Sequence, residues 1–172
     1  GIYYDNHMDR YTTWLGIPYK PLPRFLKAPV LFLRLLARNP RAAFEALKFG
    51  KYRTVAKNCK LLYFGNAFHG KHFDIVHCHF GPNGLIGTYL KECGYADRVI
   101  TAFHGSDINS YPKRYGQDVY RILYEKCDLF TANTAYTRGK MVENGCDEQL
   151  IRIVPESLIA SEYDGVDGSS RI

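Results

Sequence analysis

From Phe73 to Pro155 the chain alternates short apolar runs with helix-length segments, and this alternation leaves few folds open. Phe73–Phe80 reads as a strand, then a glycine-rich turn, Gly81-Pro82-Asn83-Gly84, and a helix over Leu85–Glu92 that Gly94 stops. Val99–Phe103 is a second strand, Tyr115–Lys126 a helix, Asp128–Ala132 a third strand, Thr137–Asn144 a helix closed by Gly145, and Leu150–Val154 a last strand ended by Pro155. Strands separated by helices of this length pair side by side in one direction, so the pattern predicts an α/β fold with a parallel, doubly wound sheet.

The segment before it differs. From Lys20 to Lys60 there are eleven Lys and Arg against a single acid, Glu45, although the whole chain carries a net charge of only +6. Pro21 and Pro23 open a helix with apolar residues at helical spacing (Leu22, Phe25, Leu26, Val30, Leu33, Leu36) and a kink expected at Pro29. Asn39-Pro40 reads as an N-cap and first helical residue, Gly50 as the end of that helix, and Tyr52–Tyr63 as a third helix. Cationic outer faces on amphipathic helices suit an anionic surface, and Arg24, Lys27, Arg34, Arg38, Arg41 and Lys48 are the residues expected to dock on membrane headgroups. A solvated helix face is the alternative. No run approaches the roughly twenty apolar residues of a membrane span, and Gly1–Arg10 lacks the apolar stretch of a signal peptide. The expected setting is therefore cytoplasmic, peripheral to the inner face of the membrane.

Five cysteines without a C-x-x-C pair form neither a zinc framework nor a disulfide scaffold and are expected to be inert. The basic stretch matches no recognised DNA or RNA module, so no nucleic-acid partner is expected. The organisation that follows is a basic helical region over 1–70, opening on a strand-like Gly1–Tyr4, an α/β core over 71–157, and a polar tail or linker over 158–172.

In a parallel sheet ligands bind beyond the carboxyl ends of the strands, and the polar residues gather there. His77, His79, Gly81, Asn83 and Gly84 follow the first strand, His104, Gly105 and Asp107 the second, Asn133 and Thr134 the third. Gly81 and Gly84 either let backbone N–H groups approach a ligand at a helix N-terminus or merely link strand to helix. His77 and His79 share a face of their strand and could, with His104 and Asp107, ligate a metal in a hydrolase; equally, one packs and the other caps a loop. His104 is placed to donate to a sugar hydroxyl or a carbonyl. Asp107 either joins it or caps the next helix.

These residues also form an ordered set of motifs. Asp74-Ile75-Val76-His77-Cys78-His79-Phe80-Gly81-Pro82-Asn83-Gly84, Phe103-His104-Gly105-Ser106-Asp107, Phe130-Thr131-Ala132-Asn133-Thr134 and Ile151-Arg152-Ile153-Val154-Pro155 resemble the amino-terminal domain of family-four glycosyltransferases, especially bacterial exopolysaccharide, colanic-acid and lipopolysaccharide members. The resemblance implies a Rossmann-like domain, one of two, and metal-independent, retaining transfer of a sugar from a nucleotide-sugar to a glycan or lipid-linked acceptor. It implies no cofactor beyond that donor. His104 would serve the reaction centre, and His79, Gly81 and Asn83 would line the acceptor side. A non-catalytic module binding a glycan, a membrane or a partner polypeptide is the alternative in which no transfer occurs. The family's opening strands and its donor-binding domain have no counterpart in these 172 residues, and Pro155-Glu156-Ser157 replaces the usual P-N-G. The expectation is a chain inactive without a donor half supplied by the same or another polypeptide.

Overall fold

The computed structural model describes residues 7–156, so the expected opening strand and the polar tail lie outside the described residues. Four helices come first: α1 (Pro21–Arg38), α2 (Pro40–Ala46), α3 (Phe49–Lys57) and α4 (Lys60–Ala67). They are followed by β1 (Phe73–His79), α5 (Gly81–Glu92), β2 (Ala96–Phe103), α6 (Ser106–Asn109), α7 (Tyr111–Tyr115), α8 (Arg121–Lys126), β3 (Leu129–Ala132), α9 (Ala135–Glu143) and β4 (Ile151–Ile153). The strands form one parallel sheet in the order β1-β2-β3-β4. The α/β class and the parallel pairing are as the pattern predicts. The strands advance in one direction only, so the reversal that a doubly wound sheet needs is absent among the described residues.

Several boundaries differ from expectation for local reasons. The helix after β1 begins at Gly81, not Leu85, because Pro82 suits a first helical turn and the N–H groups of Asn83 and Gly84 both donate to the Phe80 carbonyl. Gly50 does not end a helix; it lies in the first turn of α3. The helix expected over Tyr52–Tyr63 breaks at Cys59, whose φ is +57°, while Arg53 takes φ +50° inside α3. Tyr115–Lys126 is not one helix either, since Gly116 at φ +104° separates α7 from a 3-10 turn and α8. α1 runs through Pro29 without interruption. Asn39 joins two helices as expected: its N–H bonds the Leu35 carbonyl, and its side-chain oxygen accepts from the Ala42 N–H at 3.0 Å.

Helical region and sheet share one core. Leu35, Ala42, Tyr52 and Leu61 are buried with Tyr89 of α5, whose hydroxyl donates to the Ala42 carbonyl at 3.0 Å. On the sheet, Cys78, Thr101, Phe103 and Phe130 face α5 and α8, with Phe103, Tyr120, Tyr124 and Phe130 in edge-on and tilted ring contact. The opposite face of β1 carries Ile75, His77 and His79, all exposed. All five cysteines are free, and burial pushes the thiols of Cys78, Cys93 and Cys146 up to about 12, in keeping with inert packing residues.

Glu45 ties the helices together. It accepts from Lys48, from Lys51 at 3.2 Å and from the Tyr52 hydroxyl at 3.0 Å, and Lys51 reaches on to Glu92 of α5 at 2.8 Å. Burial works to raise the Glu45 pKa, but these hydrogen bonds outweigh it and hold the carboxyl below its ordinary 4.5. Glu92 is lowered too, chiefly by its bond from Lys51. A depressed folded pKa gives stability that is full above the ordinary value and is lost as pH falls through the folded one. Between about pH 5 and about pH 3 the thermal midpoint is therefore expected to fall more steeply in the native chain than in Glu45→Gln. Parallel falls would remove Glu45 from the acid response.

Candidate functional site

The carboxyl ends of the strands bring three expected residues and one unexpected residue together. His79 ends β1 and His104 follows β2; their rings stack with centroids 5.3 Å apart, and His79 Nδ1 lies 3.1 Å from His104 Nε2. His104 Nδ1 is in turn 2.8 Å from a carboxylate oxygen of Glu156, just beyond β4. The result is a carboxylate–imidazole–imidazole chain along the rim. With Nδ1–H of His104 directed at Glu156, neutral His104 accepts from His79 Nδ1–H, and His79 Nε2 is left as the outer acceptor. Phe80 packs its half-exposed ring 4.7 Å from the His104 ring, and its φ of +70° is a backbone conformation that non-glycine residues rarely hold. His77 stands 4.7 Å from His79, ring to ring; burial, then the neighbouring imidazoles, lower its pKa and favour its neutral form.

Asp107 holds this arrangement in place, and it caps α5 from a distance and not the helix that follows it. Its buried carboxylate accepts from the backbone N–H groups of Gly81 at 2.9 Å and of His104 and Gly105 at 3.0 Å each. One side chain thus fixes the turn after β1 to the turn after β2. Three amide donors engage the carboxylate, so its first role is to tie the two turns together.

The same bonds correct the reading of the glycines as a backbone cradle. The Gly81 N–H is taken by Asp107, Pro82 has none, and those of Asn83 and Gly84 go to Phe80, so the start of α5 offers no free donor. Gly81 and Gly84 are buried, and they are glycine for packing: a Cβ at Gly81 would lie 2.5 Å from the Tyr120 ring, and one at Gly84 2.7 Å from Thr101. Gly105 differs, needing its φ of +110° for the turn that aims His104.

Asn83 is exposed and donates to the His79 carbonyl at 2.8 Å. Asn133 supports the rim from β3, accepting from Thr137 at 2.8 Å with its amide nitrogen 3.5 Å from the His104 carbonyl. Thr134 is the N-cap of α9, its hydroxyl oxygen accepting from the Thr137 N–H at 3.1 Å. Among the described residues no three His, Cys, Asp or Glu side chains are grouped as metal ligands, so the hydrolase alternative finds no ligand set.

The family model described as Glycosyltransferase Family 4 matches residues 7–157. The chain belongs to that family. It is 29% identical over 148 residues to the provisionally named colanic acid biosynthesis glycosyltransferase WcaL of Salmonella typhimurium (strain LT2), a match covering 83% of this chain and 36% of the relative. WcaL of Escherichia coli (strain K12), which bears the same provisional name, is 30% identical over 83 residues, 46% of this chain and 20% of the relative. The chain thus spans about a third of the length of the Salmonella protein. No solved structure matches it significantly.

Within this family-4 chain the basic helices are less uniform than their sequence suggests. Arg24 is only 8% exposed and faces inward, and Lys48 is paired with Glu45, so neither is a free surface cation as expected. Lys27, Arg34, Arg38 and Arg41 are exposed. Beside them α1 leaves an apolar stripe in the open: Leu22 (67% exposed), Leu26 (71%), Val30 (67%) and Leu33 (64%). No described helix is long and apolar enough to cross a membrane.

Sequence reasoning missed Glu156. Every other strand in the motif set ends in a polar side chain, and that regularity would have pointed to the residue after Pro155.

Proposed function

We propose that this chain forms the acceptor-facing wall of an enzyme that moves a sugar from a nucleotide-sugar donor to a glycan or lipid-linked acceptor in cell-surface polysaccharide synthesis, with retention at the anomeric carbon. The observation that carries it is the Glu156–His104–His79 chain, set on the ligand-binding edge of a parallel sheet in a family-4 chain. Coupled imidazoles aligned by a carboxylate can orient a sugar hydroxyl and take up a proton at His79 Nε2 as charge develops, with His104 and Glu156 behind it. Phe80 shields one side of His104 from water. The donor nucleotide is held by a second α/β half, of this polypeptide or a partner, with the nucleotide-sugar as co-substrate and no resident cofactor. The test is transfer of labelled sugar into acceptor by the complete gene product beside the 172-residue chain. Transfer by the former alone is the expected result; label in neither would overturn the reading.

The enzyme works on the inner face of the membrane, lying on it through α1. An exposed apolar stripe flanked by Lys27, Arg34 and Arg38 suits an anionic bilayer, each cation near the surface contributing about 1 kcal/mol. In liposome flotation at low salt the chain should rise with anionic vesicles and not with neutral ones, and Leu22→Ser/Leu26→Ser should abolish this. Equal recovery on both vesicle types would remove the membrane from the proposal.

A further inference from the structure

A second cavity, away from the histidine chain, carries a charge pattern that the transfer proposal does not use. It has a volume of about 700 Å³ and lies between the segment before α1, the start of α4, the start of α5 and the end of α7. Arg24, Lys60 and Arg114 line it together with Asn58, Asn83 and Tyr19, and no Asp or Glu among the described residues does. Arg24 is more than nine-tenths buried, yet its Nε has no hydrogen-bond partner among the described residues. A buried guanidinium N–H without an acceptor is costly, and a cavity lined by three cations and by no described acid favours an anion that would satisfy it. Burial, and then the charge of Arg24, lower the Lys60 pKa, as expected of an ammonium beside a like charge with no described carboxylate near it.

We propose that this cavity binds a phosphate or diphosphate group. A carboxylate would neutralise one of the three cations, whereas a diphosphate matches the set, and the planar guanidinium of Arg24 suits two phosphate oxygens at once. The hydroxyl of Tyr19 and the second amide N–H of Asn58 and of Asn83, each already donating once to a backbone carbonyl, supply neutral donors. Arg114 and Tyr115 also line a smaller cleft of about 390 Å³ shared with Phe80, Ser106 and Tyr111. Phe80 touches His104, so a sugar attached to the bound phosphate has a lined path toward the histidine chain. The identification of the phosphate as the acceptor's own rests on the proposed function; the anion site itself rests on the cavity alone.

The test is calorimetric titration of the 172-residue chain with inorganic pyrophosphate, inorganic phosphate and acetate. Pyrophosphate is expected to bind most tightly and acetate at least tenfold more weakly. Lys60→Gln and Arg114→Gln, neither of which removes a core residue, are each expected to weaken pyrophosphate about tenfold, the usual scale for one charge-assisted contact. Arg24→Met should abolish binding; if it fails to fold, the other two variants still decide. Vesicles carrying a polyprenyl phosphate distinguish the source: release of bound chain by pyrophosphate assigns the site to a lipid-linked phosphate, and pyrophosphate binding without vesicle competition assigns it to a soluble phosphorylated glycan. No pyrophosphate binding at millimolar concentration, equal binding of acetate, or binding unchanged in both Gln variants would overturn the proposal. A chain that binds pyrophosphate although the complete gene product transfers no sugar would retain this site and lose the acceptor-wall reading; sugar transfer without phosphate binding would do the reverse.

Discussion

Replacing His104 with alanine in the complete gene product is expected to lower sugar transfer by about a hundredfold to a thousandfold, the range for losing a positioned acid–base or charge-stabilising group. Three contacts converge on this imidazole: Glu156 on Nδ1, His79 on Nε2 and the Phe80 ring against its side. None of them holds the fold together, because the backbone at His104 is fixed by Asp107 and not by its own side chain. The His104→Ala protein should therefore unfold at nearly the native temperature while losing turnover. Glu156→Gln keeps a hydrogen-bond acceptor but removes the charge that would stabilise an imidazolium, so a smaller loss of about tenfold is expected, with the pH dependence of turnover displaced. Unchanged turnover in His104→Ala would take the imidazole out of the mechanism.

Asp107→Ala is the mirror case, in which structure fails first. The substitution leaves the N–H groups of Gly81, which is buried, and of His104 and Gly105, which are partly buried, without an acceptor. At about 1–3 kcal/mol for each stranded donor, relieved in part by water, the expected loss is about 3–5 kcal/mol. At roughly 2–4 °C per kcal/mol for a chain of this size, the midpoint should drop by about 10 °C. Asp107→Asn keeps one oxygen, which can serve the His104 and Gly105 pair, and should fall between. A thermal scan showing Asp107→Ala within about a degree of the native chain would mean that the turns after β1 and β2 are held some other way.

The contrast between these two neighbours shows where sequence reasoning stops. The strands were legible because apolar runs of strand length bounded by glycine and proline have few alternatives. The convergence of His79, His104 and Asn133 followed from parallel pairing. What the sequence could not supply was the partner of each polar group. Asp107 and His104 stand three residues apart; the sequence favoured His104 and left Asp107 between chemistry and capping, and the three amides around the carboxylate show what holds it. Gly81 and Gly84 fit a ligand cradle or a plain strand-to-helix link; the ring of Tyr120 and the side chain of Thr101, far along the chain, are what require them to be small. Arg24 belonged to a run of surface cations by spacing, yet it turns inward because helical periodicity defines a face without saying what covers it. Glu156 meets His104 across 52 positions, a separation that no local pattern reports.

The one-way advance of the strands has a consequence for how specificity can change. Because β1, β2, β3 and β4 lie in chain order, the tips at His79, His104, Asn133 and Glu156 are arrayed along the rim in the order of their numbering. A molecule lying across that rim meets each loop in turn, like successive keys on a keyboard. Exchanging the segment after β4 would then retune one end of such a ligand's contacts and leave those at His79, the other end, as they were.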